Sequence, residues 1–160
     1  MSEHQRAMGL ALRWLSRRDH SVHELREKWA KKDVDEDAQT SALERLEELN
    51  LIDDQKFADQ LVRQLKDRKG RLAVRQALKR KGLSEAVQDI ALAPLDEGQQ
   101  RTAAIDLMRR NAWRFRSDNT SKSRAKAARY LAGRGFTSDA IHTALETASD
   151  ALTDAQDDTL

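Results

Sequence analysis

The sequence predicts an all-α fold of three tandem three-helix repeats that form an elongated, curved helical stack. Two observations favour helices: the 160 residues include only one proline and six glycines, and apolar residues recur at the spacing of one helical face. A third observation is an internal repeat with a period near 50 residues. Such a repeat predicts similar modules stacked along the chain, with an extended surface for a partner.

The repeat consists of apolar positions that match between three segments at offsets of 49 and then 53 residues. The matched sets are Leu25, Val74 and Ala127; Trp29, Leu78 and Leu131; Val34, Leu83 and Phe136; Ala38, Val87 and Ala140; and Leu43, Leu92 and Leu145. Asp33, Gly82 and Gly135 precede the third set. We expect these three residues at the turn that ends a helix, where the left-handed conformation favours glycine.

Nine helices account for the three repeats. The predicted helices cover about 4–18, 22–32, 33–49 with an acidic start at 33–37, 53–66, 71–81, 85–93, 96–116, 122–133 and 138–150. Ser21 and Glu24 have the form of a capping box, and Asp53 is a suitable first residue for the fourth helix. The predicted domains are repeat 1 at 1–52, repeat 2 at 53–95 and repeat 3 at 96–150, with a disordered acidic tail at 151–160.

Charge is segregated along the chain. Residues 61–92 carry nine Lys or Arg against three Asp or Glu, and residues 101–134 carry ten against two. Residues 1–60 and 135–160 are net acidic, at −4 and −6. A basic belt between acidic ends predicts a polyanion or an acidic protein surface as partner, although solvated helix faces would give the same pattern.

The basic belt is concentrated on two helices. On the fifth helix, Arg71, Arg75 and Lys79 follow the i, i+4, i+8 spacing of one face, and the eighth helix, its repeat counterpart, carries a similar stripe. Like charges at this spacing repel each other, so two equivalent helices that keep them indicate a shared anionic partner. The predicted partner- or DNA-binding residues are Arg68, Lys69, Arg71, Arg75, Lys79, Lys122, Lys126 and Arg129.

Several classes of function are disfavoured. The chain has no cysteine, and no apolar run approaches the roughly 20 residues of a membrane helix, so we expect a cytoplasmic protein without disulfides. No nucleophile–base set or phosphate-binding glycine loop is present, which predicts a protein that is not an enzyme and needs no cofactor. Asp53 and Asp54 resemble helix caps more than metal ligands, and His20 and His23 are assigned to surface or capping roles.

Aromatic residues give one further indication. Trp113 and Phe115 alternate with Arg114 and Arg116, a pattern that fits base stacking or a partner pocket. Their spacing also fits the core of the seventh helix, and we favour the core for both.

At this point the motifs resemble a known family. The relevant residues are Ala11-Leu12-Arg13-Trp14-Leu15, Ser21-x-x-Glu24-Leu25, Leu51-Ile52-Asp53-Asp54-x-x-Phe57-Ala58 and Leu78-x-x-Lys81-Gly82-Leu83. In this order and spacing they are similar to the RecX family of bacterial regulatory proteins. One departure is Gly70-Arg71-Leu72-Ala73, where the family often has an aromatic residue and a second glycine or proline.

The resemblance implies a non-enzymatic protein that binds the RecA recombinase, both free and as the RecA–DNA filament. It implies inhibition of ATP hydrolysis, strand exchange and coprotease activity, and so a role in DNA repair and the SOS response. We expect a monomer. The alternative from another class is a DNA-binding helical-repeat protein that contacts single- or double-stranded DNA directly and competes for it. A third alternative is a helical scaffold without nucleic acid.

Overall fold

The computed structural model describes residues 2–153, and this part of the chain is helical with no strand. The α-helices in it are α1 Glu3–Leu15, α2 Val22–Lys31, α3 Glu36–Glu48, α4 Asp54–Leu65, α5 Arg71–Arg80, α6 Glu85–Leu92, α7 Glu97–Arg110, α8 Thr120–Gly133 and α9 Ser138–Thr147. Two short 3-10 helices span Ala112–Arg114 and Ser149–Leu152. None of the described helices is both long and apolar enough to cross a membrane. The predicted all-α class is confirmed.

Side-chain caps define where helices begin. The hydroxyl oxygen of Ser21 accepts a hydrogen bond from the Glu24 N–H at 3.2 Å, and Glu24 Oε1 accepts one from the Ser21 N–H at 3.1 Å. This is the predicted capping box at the start of α2. Asp53 Oδ1 accepts a hydrogen bond from the Lys56 N–H at 3.1 Å, so Asp53 caps α4 as expected.

The predicted repeat is visible in the backbone. Asp33, Gly82 and Gly135 all have positive φ, at 56°, 71° and 92°. At each of these turns, the amide of the next residue bonds back to a carbonyl in the preceding helix, and the N···O distances are 3.0, 3.4 and 3.2 Å. This is the left-handed ending that satisfies the last carbonyls of a helix. The equivalence of the three turns is therefore confirmed.

A buried polar contact also recurs, and the apolar pattern gave no indication of it. Gln39 Nε2 donates to the Val34 carbonyl at 3.0 Å, and Gln88 Nε2 donates to the Leu83 carbonyl at 2.9 Å. The two glutamines lie 49 residues apart, which is the first repeat offset. Both are at least 95% buried, so these bonds satisfy amides that would otherwise be costly to bury.

Contacts divide the chain into two compact units, and each unit has its own core. One unit contains the chain up to Leu61 together with Ala77–Ala91, and the other contains Val62–Gln76 together with the chain from Leu92 onward. Trp29 lies in the first core, fully buried, and its indole N–H donates to the Ala7 carbonyl at 3.0 Å. The middle repeat thus contributes to both units. The predicted repeat boundaries and the curvature of the stack stay predictions.

The second core is built from α7, α8, α9 and the segments that follow α7 and α9. Its buried members are Ala103, Ala104, Leu107, Met108, Phe115, Ala127, Leu131, Phe136, Ala140, Ala144, Ala148 and Leu152. Leu152 lies in a 3-10 helix and is only 2% exposed, so the chain is folded at residues 151 and 152, where a disordered tail was expected to begin. The rest of that expected tail, from residue 154, lies outside the described residues.

The seventh helix is shorter than predicted. It ends at Arg110, and the Asn111 side chain donates to the Leu107 carbonyl at 2.8 Å, which competes with continuation of the helix. The chain then makes a 3-10 turn instead of continuing to residue 116. The core assignment is right for Phe115, which is 3% exposed, and wrong for Trp113, which is 71% exposed.

His20 is a second correction. We expected a surface or capping role, but the side chain is buried. Its Nδ1 lies 3.0 Å from the Arg18 carbonyl, and its Nε2 lies 2.9 Å from Lys28 Nζ. Burial lowers the pKa of His20, so the neutral ring can donate from Nδ1 and accept from the Lys28 ammonium. His23, in contrast, is an exposed side chain that pairs with Glu27.

Candidate partner-binding surface

The start of the second helix in a repeat contacts the helix-ending turn of the next repeat. The Ser21 hydroxyl donates to the Lys81 carbonyl at 2.7 Å. At the equivalent positions one repeat later, the Gly70 N–H donates to the Arg134 carbonyl at 2.8 Å. A Cβ on Gly70 would lie 2.4 Å from backbone atoms of Gly135, so only glycine fits there. These paired contacts hold α2 on the α5–α6 turn and α5 on the α8–α9 turn.

An ionic cluster reinforces the first of these contacts. Glu24 Oε2 lies 2.8 Å from Arg18 Nη2 and 3.2 Å from Lys81 Nζ, and the Glu24 side chain is only 12% exposed. Burial alone would raise the pKa of Glu24. Hydrogen bonds from Arg18, the Ser21 N–H and Lys81 outweigh that effect and lower the pKa to about 2. The capping residue of α2 therefore also holds two cations, one of them from the next repeat.

This cluster makes stability depend on pH. The pKa of Glu24 is lower in the folded chain than its ordinary 4.5, so the carboxylate stabilises the fold fully above about pH 4.5. We expect that contribution to be lost as the pH falls from 4.5 toward 2. Urea unfolding followed by circular dichroism at pH 7 and pH 3 measures the loss. Glu24→Gln should lower the midpoint at pH 7 and shrink the difference between the two pH values.

The matched control is Glu44→Gln, a change at an exposed carboxylate on α3. It should leave both midpoints close to those of the unchanged chain. Equal pH dependence in the Glu24→Gln and Glu44→Gln variants would contradict the role given to the cluster.

The adjacent aspartates Asp53 and Asp54 cap different helices. Asp53 caps its own helix, whereas Asp54 Oδ1 accepts a hydrogen bond from the Val22 N–H at 2.9 Å, at the start of α2. Burial raises the pKa of Asp54 above its usual range. The sequence placed both residues correctly at a helix start but gave no sign that Asp54 satisfies a distant helix. Among residues 2–153, no group of three potential ligands is placed to hold a metal ion.

The predicted basic residues differ in exposure. On and before α5, Arg68 and Lys79 are exposed, whereas Lys69, Arg71 and Arg75 are half-buried. On α8, the three predicted cations are all exposed. The exposed members of the predicted set are therefore Arg68, Lys79, Lys122, Lys126 and Arg129.

Arg71 also has a contact within the chain, because its guanidinium binds the end of a helix in its own repeat. Its Nη1 donates at 2.8 Å to the carbonyl of Leu92, the last residue of α6, and at 2.9 Å to that of Leu95, three residues further on. Arg124, 53 residues later, donates in the same way to the Leu145 carbonyl at 3.2 Å. A cation near the carboxyl end of a helix satisfies free carbonyls and opposes the negative end of the helix dipole. Arg71 is therefore a structural residue.

Arg71→Met should consequently lower stability. Two carbonyls lose a charged donor, for which we expect a loss of roughly 1.5 kcal/mol in the free energy of unfolding. Lys79→Met, on the same helix and exposed, should change it by less than about 0.5 kcal/mol. Urea unfolding of both variants measures the difference. Equal free energies of unfolding for the two variants would show that the contacts of Arg71 with the Leu92 and Leu95 carbonyls do not stabilise the fold.

The exposed cations of α8 form the stronger part of the predicted surface. Asn119 Oδ1 accepts a hydrogen bond from the Lys122 N–H at 3.3 Å and caps α8. The helix that carries these three cations therefore has a defined start. From there Lys122, Lys126 and Arg129 extend along about two turns. Exposed lysine and arginine side chains attract an anionic surface over a distance of about 8 Å at physiological salt. The arrangement suits electrostatic docking, and the described residues bring no nucleophile–base set to it.

Three family models match the chain in succession. They are the first three-helix domain of RecX at residues 7–46, the second at residues 53–92 and the third at residues 99–145. The matched segments correspond in number and order to the three predicted repeats.

Curated relatives and a solved structure agree with the family match. "Regulatory protein RecX" of Mycolicibacterium smegmatis is 36% identical over 81% of this chain and 70% of its own length. "Regulatory protein RecX" of Chlorobium phaeobacteroides is 33% identical over 91% of this chain and 95% of its own. The crystal structure of RecX from Lactobacillus salivarius superposes with a TM-score of 0.82 at 25% identity, covering 92% of this chain and 97% of that one.

Proposed function

This chain belongs to the RecX family of regulatory proteins, and we propose that it acts by binding the RecA recombinase, free and as the RecA–DNA filament. The proposed outcome is inhibition of ATP hydrolysis, strand exchange and coprotease activity, which would modulate DNA repair and the SOS response. The observation that carries the proposal is the match of all three RecX domains in order. We further propose that the protein works in the cytoplasm, as a monomer and without catalysis of its own.

Charge and exposure support a docking surface on α8. Lys122, Lys126 and Arg129 are exposed and lie in a segment, residues 101–134, with ten Lys or Arg against two Asp or Glu. We propose that this stripe meets acidic surface or DNA phosphate in the filament, together with Arg68 of the same unit. Lys79, in the other unit, is proposed as a separate contact. Electrostatic complementarity of this kind mainly speeds encounter and fixes orientation, while packed contacts set the residence time.

Binding to RecA without DNA tests the proposal directly. Isothermal titration calorimetry of RecA with this protein should give saturable binding near one to one. If no binding heat is seen at micromolar RecA while the protein still binds an oligonucleotide, the alternative function, competition for DNA, is favoured.

That alternative is a DNA-binding protein that inhibits by competing for DNA. The observation that favours it is the same excess of exposed cations. Binding through duplex phosphates weakens with salt at a slope of about −0.9 per phosphate contact on a double-logarithmic plot. A protein interface with an apolar centre depends on salt less steeply. The salt dependence of inhibition therefore distinguishes the two functions.

A further inference from the structure

Trp113 is the most exposed large apolar side chain among the described residues, at 71%. It lies in the 3-10 helix Ala112–Arg114 that follows the early end of α7. The neighbouring Ala112 and Phe115 are buried, so this short segment is fixed on the core while the indole extends into solvent. An exposed indole on a segment anchored to the core offers an aromatic face to a planar ligand.

Arg114 links this indole to a second ring, Tyr130, which contacts a second cation. The Arg114 guanidinium lies 5.5 Å from the centroid of Trp113 and 5.6 Å from that of Tyr130. Arg134 lies over the Tyr130 ring at 5.1 Å. All three distances fall within the range of cation–π attraction, so the two guanidinium groups and the two rings form a connected set of contacts. We call these four residues the Trp113 cluster.

The basic stripe of α8 leads to this cluster. Lys126, Tyr130 and Arg134 are spaced by four residues each, which places them along one line of the helix and the residue that follows it. Residues 101–134, which contain both features, carry a net charge of +8. A polyanion that lies along the stripe would therefore meet aromatic faces at its end.

We propose that the Trp113 cluster binds single-stranded nucleic acid by stacking unpaired bases, while the stripe of α8 contacts its phosphates. Aromatic platforms beside basic grooves bind single strands with little sequence preference, because every base has a π-face. A duplex keeps its bases stacked inside and offers only phosphate to this surface. The proposal goes beyond RecA binding, since it needs no RecA and is tested without it.

Fluorescence anisotropy of labelled oligothymidine with the protein alone tests the proposal. Trp113→Ala should weaken binding about tenfold, the effect expected for loss of one stacked base. The same substitution should change the affinity for duplex DNA, and for an abasic single strand of equal length, by less than about twofold, because neither presents a free base face. Stacking should also quench the Trp113 fluorescence of the unchanged protein on oligothymidine.

Ile90→Ala is the matched control, since Ile90 is also an exposed apolar residue, at 61%, and lies on α6. It should leave every affinity unchanged. Equal weakening by Trp113→Ala on oligothymidine, duplex and abasic strand would overturn the stacking proposal, because the indole would then act only through structure or charge. Unchanged affinity for all three would overturn it as well and leave a protein partner as the occupant of the cluster. Neither result bears on RecA binding, which calorimetry measures separately.

Discussion

Gly70→Ala should strongly destabilise the chain. The new Cβ would lie 2.4 Å from the Gly135 carbonyl carbon and oxygen and 2.5 Å from the Phe136 nitrogen. These are backbone atoms on the α8–α9 turn, so no side-chain rotation can relieve the overlap. The hydrogen bond from the Gly70 N–H to the Arg134 carbonyl would have to lengthen as well. We expect a loss of roughly 3 kcal/mol in the free energy of unfolding.

Gly133→Ala provides the control for this change. Gly133 is the last residue of α8, and an added Cβ would meet no atom within 4 Å. The same methyl group should therefore be neutral there, or stabilising by up to about 1 kcal/mol, since alanine favours helix more than glycine does. Urea unfolding of both variants gives the comparison. A Gly70→Ala variant as stable as Gly133→Ala would show that α5 does not depend on close contact with the α8–α9 turn.

Reversal of the α8 stripe should have the largest effect on function. The triple variant Lys122→Glu, Lys126→Glu and Arg129→Glu replaces three exposed cations with anions on one stripe. Like charges placed opposite an anionic surface cost several kcal/mol in total, which corresponds to roughly a 100-fold loss of inhibitory potency toward the RecA filament. The measurement is the protein concentration that halves RecA ATPase on single-stranded DNA. All three side chains are exposed, so we expect the fold to survive the change.

A second triple variant separates a local effect from the change in net charge. Arg13, Arg17 and Lys31 are also exposed, and they lie outside α8. Reversing them to glutamate alters the net charge of the protein by the same amount. We expect inhibition within about threefold of the unchanged chain, the effect of weaker long-range attraction alone. An equal loss of inhibition in both triple variants would show that net charge alone weakens inhibition, and that α8 is not the docking surface.

Much of the fold could be predicted because local physics dictated it. The turns at Asp33, Gly82 and Gly135 follow from the need for a left-handed residue at a helix end, and the caps at Ser21 and Asp53 follow from free amides at a helix start. The end of α7 could not be predicted in this way. Apolar spacing continued through Trp113, and spacing does not show that the Asn111 side chain donates to the Leu107 carbonyl where the helix ends.

The candidate site was less predictable, because spacing on a helix does not show what a long side chain reaches. Arg71 and Lys79 share one stripe in the sequence, yet Arg71 binds the carbonyls of Leu92 and Leu95 while Lys79 is exposed. The bond from Asp54 to the Val22 N–H depends on how two repeats pack. One signal was available: Arg71 and Arg124 are related by the repeat offset, and a repeated cation indicates a structural role shared by the repeats.

We propose that this protein regulates RecA by acting on its filament. The most direct measurement is RecA ATPase on single-stranded DNA, titrated with this protein at fixed salt and at two DNA concentrations. We predict inhibition at substoichiometric protein that excess DNA does not relieve in proportion, because the protein would act on the assembled filament and not only on the free single strands that the Trp113 cluster binds. Inhibition relieved in proportion to added DNA would contradict the account and establish simple competition for DNA. No inhibition at stoichiometric protein would contradict RecA regulation altogether.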